Sequence, residues 1–326
     1  MSDPQTPSSA RLGWLARGWR NVREAGGVQL GVTLIVLCAA VFIARFSWVL
    51  PDGKVPTPLT GEAERALYDL RAYYAADLVG QDERIVLVVY TDQTLIAARK
   101  RSPLDRGLLA RTLQTLDAMG AKAIGIDILF DQPQDEDEEL TAALRGMKTP
   151  VAVAYANVAS NQDDVVYEQQ QYLDSFQAQL AGTRARPASI RLDNTFGATR
   201  VWPTIVPDLP PLLGRAMLED SGAGAARFEG YEGALDYRRA RFVDEPLFAA
   251  LQIDLLADPD PAVLPFLAEQ IAGKYVLIGG DIVDYDRVET TFTSITGDLP
   301  PGLAVHAEII AQMLDDRALA PIPVWI

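Results

Sequence analysis

The segment RIVLVVYTD, residues 84–92, carries almost nothing polar before its end. A strand with one face in water alternates apolar and polar residues. A run this continuous is buried on both faces and belongs in a parallel sheet covered by helices. The pattern recurs at AKAIGIDILF (121–130), TPVAVAYA (149–156) and GKYVLIGGD (273–281). Helical stretches lie beside these runs. SPLDRGLLARTLQTLDAMG (102–120) sets Leu109, Leu113 and Leu116 on one stripe. Its expected start has Ser102 as N-cap, Pro103 at N1 and Asp105 at N3, and Gly120 is its expected stop. DEDEELTAALRGM (135–147) opens on acids, where the helix dipole favours them. PGLAVHAEIIAQMLDD (301–316) turns Ala304, Ala307, Ile310, Ala311 and Leu314 inward. Strand and helix alternating through short loops predict an α/β fold, a mostly parallel sheet with helices on both faces. Residues 157–260 lack this regularity. They are expected to form an insertion over the sheet, with VDEPLFAALQIDLLAD helical.

VQLGVTLIVLCAAVFIARFSWVL, residues 28–50, has only Thr33 as a polar residue between Leu30 and Ala44. A membrane crossing takes roughly 20 apolar residues, so this segment predicts one transmembrane helix. Arg45 snorkels from its end, and Trp14, Trp19 and Trp48 flank it as interfacial aromatics. Residues 1–50 hold five arginines (11, 17, 20, 23 and 45) against two acids, Asp3 and Glu24. The positive-inside rule then places residues 1–27 in the cytoplasm and 51–326 outside, in the periplasm or extracellular space. No small-x-small cleavage site follows the segment, which favours an uncleaved anchor in the inner membrane over a signal peptide. PDGKVPTPLTG (51–61) is a linker, and EAERALYDLRAYYAADL (62–78) has helical spacing. That helix either packs on the domain or serves as a stalk that transmits movement.

The formal charge is −15, and the 276 residues after the first 50 hold 24 basic and 42 acidic side chains. Such a surface repels phosphate backbones and sets nucleic acid aside. One cysteine, Cys38, and one histidine, His306, exclude a disulfide framework and a cysteine- or histidine-rich metal site. In an open parallel sheet ligands bind beyond the strands' C-terminal ends. Asp92, Asp127 and Asp281 occupy such ends, with Asp131, Asp284 and Asp286 in the loops beyond. Together they would hold a divalent cation or a ligand's amines; apart, they are turn formers and caps. No other cofactor is expected. Arg106 either pairs with this acidic edge, greets an anionic ligand there or forms a surface salt bridge, and His306 reads first as a structural residue of an apolar helix face. The Gly-Gly of LIGGDIVDYD lacks the spacing of a phosphate-binding turn.

Four blocks in order, RIVLVVYTDQTL, RGLLARTLQTLDAMGAKAIGIDILFDQPQDEDEELTAAL, GKYVLIGGDIVDYD with the downstream TTF, and PGLAVHAEIIAQML, make the chain resemble a known family. It is the CHASE type-two domain, an extracellular sensory domain associated with cyclases and histidine kinases. Tyr90 and Thr91 depart from the acids expected there, which weakens a carried-over cation site. The resemblance implies the input half of a bacterial signalling receptor. A small-molecule or protein ligand, or an envelope state, would act on a cyclase or kinase beyond Ile326, and the apolar tail APIPVWI would begin the next membrane helix. The expected assembly is a homodimer whose helices 62–78 and 302–317 shift relative to each other. Two other readings stand beside it. One is a metal-dependent periplasmic hydrolase using Asp92, Asp127 and Asp281; the other is a non-catalytic envelope scaffold.

Overall fold

A computed structural model describes residues 26–48, 61–100, 104–160, 165–283 and 287–319. The arginine-rich start, Trp14, Trp19, the linker 51–60, Ser102, Pro103, Asp284, Asp286 and the tail 320–326 lie outside the described residues. The chain divides into two compact units, Met1–Arg65 and Ala66–Ile326. In the first, helix α1 runs over Gly27–Trp48. Apart from Gln29 and Thr33 its described side chains are apolar, and they are exposed, as at Val28, Leu34, Ile35 and Phe42. Among the described residues no helix is long and apolar enough to cross a membrane. The spanning helix expected over 28–50 is therefore unsupported among the described residues.

The second unit is the α/β domain. Six strands, β1 (Ile85–Thr91), β2 (Ala123–Ile126), β3 (Val151–Tyr155), β4 (Ala185–Ser189), β5 (Ala249–Gln252) and β6 (Tyr275–Asp281), form one sheet in the order β4-β3-β2-β6-β1-β5. Every pairing in it is parallel. Successive residues of β1 feed opposite cores: Val86, Val88 and Tyr90 on one side, Ile85, Leu87 and Val89 on the other. The first core is closed by α4 (Arg106–Ala118), α5 (Asp137–Gly146), α6 (Tyr167–Ala178) and α8 (Leu264–Ile271). The second is closed by α7 (Leu213–Asp220) and α9 (Gly302–Leu314). A Cβ on Gly214 would stand 2.7 Å from Ile310 Cγ1, so glycine there sets how closely α7 and α9 approach. α2 (Gly61–Ala75) precedes the sheet, and α3 (Asp92–Ala98) follows β1 directly.

Several expectations shift. The helix expected over 62–78 ends at Ala75, and Leu78–Val79 pair in parallel with Arg239–Ala240 instead. The helix expected over 102–120 is α4, and its N-cap is Asp105: that carboxylate accepts from Leu108 N at 2.8 Å and starts the helix at Arg106. β2 ends at Ile126, four residues before the expected end, and Phe130 still packs into the same core as Ile126. The irregular 157–260 region supplies both edge strands. β4, ARPAS, is polar and contains Pro187, which an edge strand tolerates. β5, expected as helix, pairs with β1.

Candidate functional site

Thr91 ends β1 and caps α3, accepting from Thr94 N at 3.3 Å. Asp92 thereby falls in the first turn of a helix, and its carboxylate accepts from Val283 N at 3.1 Å. Asp281 ends β6 and pairs with Arg287 at 2.7 Å. Asp127 follows β2, and its backbone N–H gives the last rung of that ladder to Ile278 O at 2.8 Å. Its carboxyl is enclosed, with His306 Nε2 at 3.9 Å. Gly279 of β6 covers it: a Cβ there would lie 3.4 Å from Asp127 Cβ and 2.9 Å from Leu303 Cδ1. Burial pushes the Asp127 carboxyl up to about 7. The expected edge residues thus share one end of the sheet but bind different partners. Among the described residues no group of three or more acidic, histidine or cysteine side chains is gathered closely enough to hold a metal.

The acidic loop after β2 is held by bases and amides. Arg106, 2% exposed, pairs with Asp137, donates to Gln132 O at 2.8 Å and lies 5.0 Å over the Phe130 ring. Asp137 also accepts from the Tyr172 hydroxyl. Lys100 binds Glu136 at 2.9 Å, and Gln169 of α6 donates to Asp131 at 2.5 Å. Arg106 therefore forms neither a surface bridge nor a contact to Asp92 or Asp281; it buries its charge to fasten this loop.

A second constellation lies along α9. Arg238, 6% exposed, sits between Asp82 at 2.9 Å and Glu308 at 3.0 Å. Arg84 also holds Asp82, at 2.7 Å, and reaches Asp315 at 2.7 Å. Arg317 bridges Asp315 at 3.3 Å and Asp236 at 2.6 Å. Four carboxylates thus meet three guanidiniums, and the count balances when one carboxyl is protonated. Burial singles out Glu308, pushed up to about 7 against the opposing pull of Arg238. Burial also pushes Asp82 up, but hydrogen bonds from Arg84 and Arg238 outweigh it and hold the group well below the usual carboxylate range.

A family model described as the CHASE2 domain matches residues 36–326. The chain belongs to the CHASE2 family. No curated protein and no solved structure matches it. CHASE2 domains are sensory domains of signalling receptors.

In this CHASE2 domain the arginines of residues 195–241 fasten both flanking helices. Arg200 clamps Asp69 of α2 through two bonds of 2.8 Å, and Asp69 is 2% exposed. Arg239 donates to the Tyr73 hydroxyl at 3.0 Å and stacks 3.8 Å over its ring. Arg238 holds α9 through Glu308, while Gln312 of α9 accepts from Asp236 N at 3.0 Å. Sequence reasoning passed over Asp69, Asp82, Arg200, Arg238 and Glu308. One signal was readable: Glu308 lies four residues after Ala304 and three before Ala311, on the inward stripe of an apolar helix. A charge placed there needs a buried partner.

Proposed function

We propose that this CHASE2 domain is the extracytoplasmic input module of a membrane-anchored receptor. In this reading it passes a ligand or envelope state through α2 and α9 to a cyclase or kinase output. The observation that carries the proposal is the joint attachment of both helices to residues 195–241 by Arg200, Arg238 and Arg239. A signal must favour one arrangement of an element over another. A segment that grips both helices lets one change bias both.

α1 serves as the anchor. Its exposed apolar surface, with Val28 at 83% and Phe42 at 68%, has a favourable place in lipid. The Thr33 hydroxyl is already satisfied by Gln29 O at 2.8 Å. The receptor works as a homodimer. Leu67, Leu70 and Tyr74 lie exposed on α2 at the three-then-four spacing of a helix–helix seam.

Cysteine chemistry tests both parts, since Cys38 is the only native cysteine. In a Cys38→Ala background, Val243→Cys is labelled in intact cells by a membrane-impermeant maleimide, and Leu70→Cys gives a disulfide-linked dimer on mild oxidation. Labelling of Val243→Cys only after the membrane is opened overturns the topology. Absence of a cross-link at Leu70→Cys overturns the dimer seam.

A further inference from the structure

A cavity of about 240 Å³ opens beside α9, between residues 202–212, Phe228 and Met313. We propose that it is a binding site for a small uncharged molecule, one apolar ring carrying a single hydrogen-bond acceptor. Apolar cavities of about 150 Å³ take up benzene, so this volume holds a ring with a substituent. The walls suit that occupant. Trp202 and Phe228, 4% and 2% exposed, have ring centroids 4.8 Å apart and continue into Tyr231 at 5.2 and 5.1 Å. A bound ring would extend this aromatic cluster by stacking or edge contact.

The opposite wall is preformed. Pro207, Pro210 and Pro211 fix their backbone angles. The ends of this loop are tied down, with Ser189 N donating to Pro211 O at 2.8 Å and Thr204 N to Asp193 at 2.8 Å. The lining has one cation and one carboxylate, Arg215 and Glu219, and they pair with each other at 2.7 Å. The wall thus offers no uncompensated charge, and an ion would enter at a desolvation cost.

The acceptor is assigned by Ser189. This residue is 3% exposed, and its hydroxyl oxygen accepts from Arg191 N at 3.3 Å. Among the described residues no acceptor takes its proton, so a carbonyl or ether oxygen on the ligand completes it. The site also touches the output side of the domain. Met313 is in the last turn of α9, and Leu319 N donates to the Tyr231 hydroxyl at 3.3 Å.

The role given to the site rests on the sensory reading, but its existence does not, so binding is tested directly. The full chain in lipid nanodiscs is titrated with acetophenone and with benzene by saturation-transfer NMR. Partitioning into lipid is the same for every variant, so differences between variants report the cavity. Leu209→Trp, which fills the cavity from a half-buried loop position, is expected to weaken saturable acetophenone binding at least tenfold with an unchanged melting temperature. Ser189→Ala is expected to weaken acetophenone several-fold and leave benzene unchanged. Equal binding by the wild type and Leu209→Trp overturns the site. If Leu209→Trp does not fold, Ile205→Trp, at an exposed position on the same rim, decides between the same two results. Equal losses of both probes in Ser189→Ala overturn the assigned acceptor. Any of these failures leaves the cysteine-labelling result, and with it the sensory reading, standing.

Discussion

Asp127 and Glu308 are carboxyls that the fold prefers to keep protonated. Each is enclosed, and each titrates near 7 in the folded state against about 4 in an unfolded chain. Between those values the unfolded chain has lost protons that the folded one retains. Stability therefore falls as pH rises from about 4 to about 7 and levels off above. Asp82 has the opposite sign: its contribution is complete above its unfolded value and is lost only in stronger acid. Asp127→Asn is expected to remove its share of the loss. Thermal melts at pH 5 and pH 8 then differ less for the variant than for the wild type, and an identical difference contradicts the assignment. Of these residues the sequence exposes Asp127, because it closes an apolar strand. It leaves hidden what Asp127 faces, since the His306 contact joins positions far apart in the chain. Asp92 and Asp281 were as legible as Asp127, but their partners, Val283 N and Arg287, lie in a loop with no readable pattern.

The central strands β1, β2, β3 and β6 were legible because burial on both faces writes an uninterrupted apolar run. The edge strands were not. β4 carries Arg186 and Pro187, and β5 alternates partly buried with exposed residues, so neither resembles its neighbours. The same limit hid the link between α9 and residues 236–238, where a loop arginine enters a helix–sheet core. That link is a strong test of the element, because removing one partner of a buried ion pair costs about 3–5 kcal/mol. Arg238→Met leaves Glu308 and Asp82 without their shared cation. At pH 8 its urea midpoint is expected to fall sharply. At pH 5 the fall is smaller, because Glu308 is then protonated and Asp82 keeps Arg84. Adding Glu308→Gln is expected to recover part of the loss at pH 8. An equal loss at both pH values contradicts the protonation assigned to Glu308.

Across the whole domain, residues 195–241 work as a clasp. They hold α2 through Asp69 and Tyr73, and α9 through Glu308 and Gln312. The sheet supplies a rigid back, with β1 and β6 inside it and buried on both faces. On the proposed reading α2, α9 and the clasp are the parts that would take two arrangements. On that reading α2 and α9 are coupled through this clasp. Hydrogen exchange on the full chain carrying Arg238→Met measures the coupling. Faster exchange is expected in 66–75 as well as in 302–314, with 85–91 and 275–281 still protected. Faster exchange confined to 302–314, with 66–75 unchanged, would contradict the coupling.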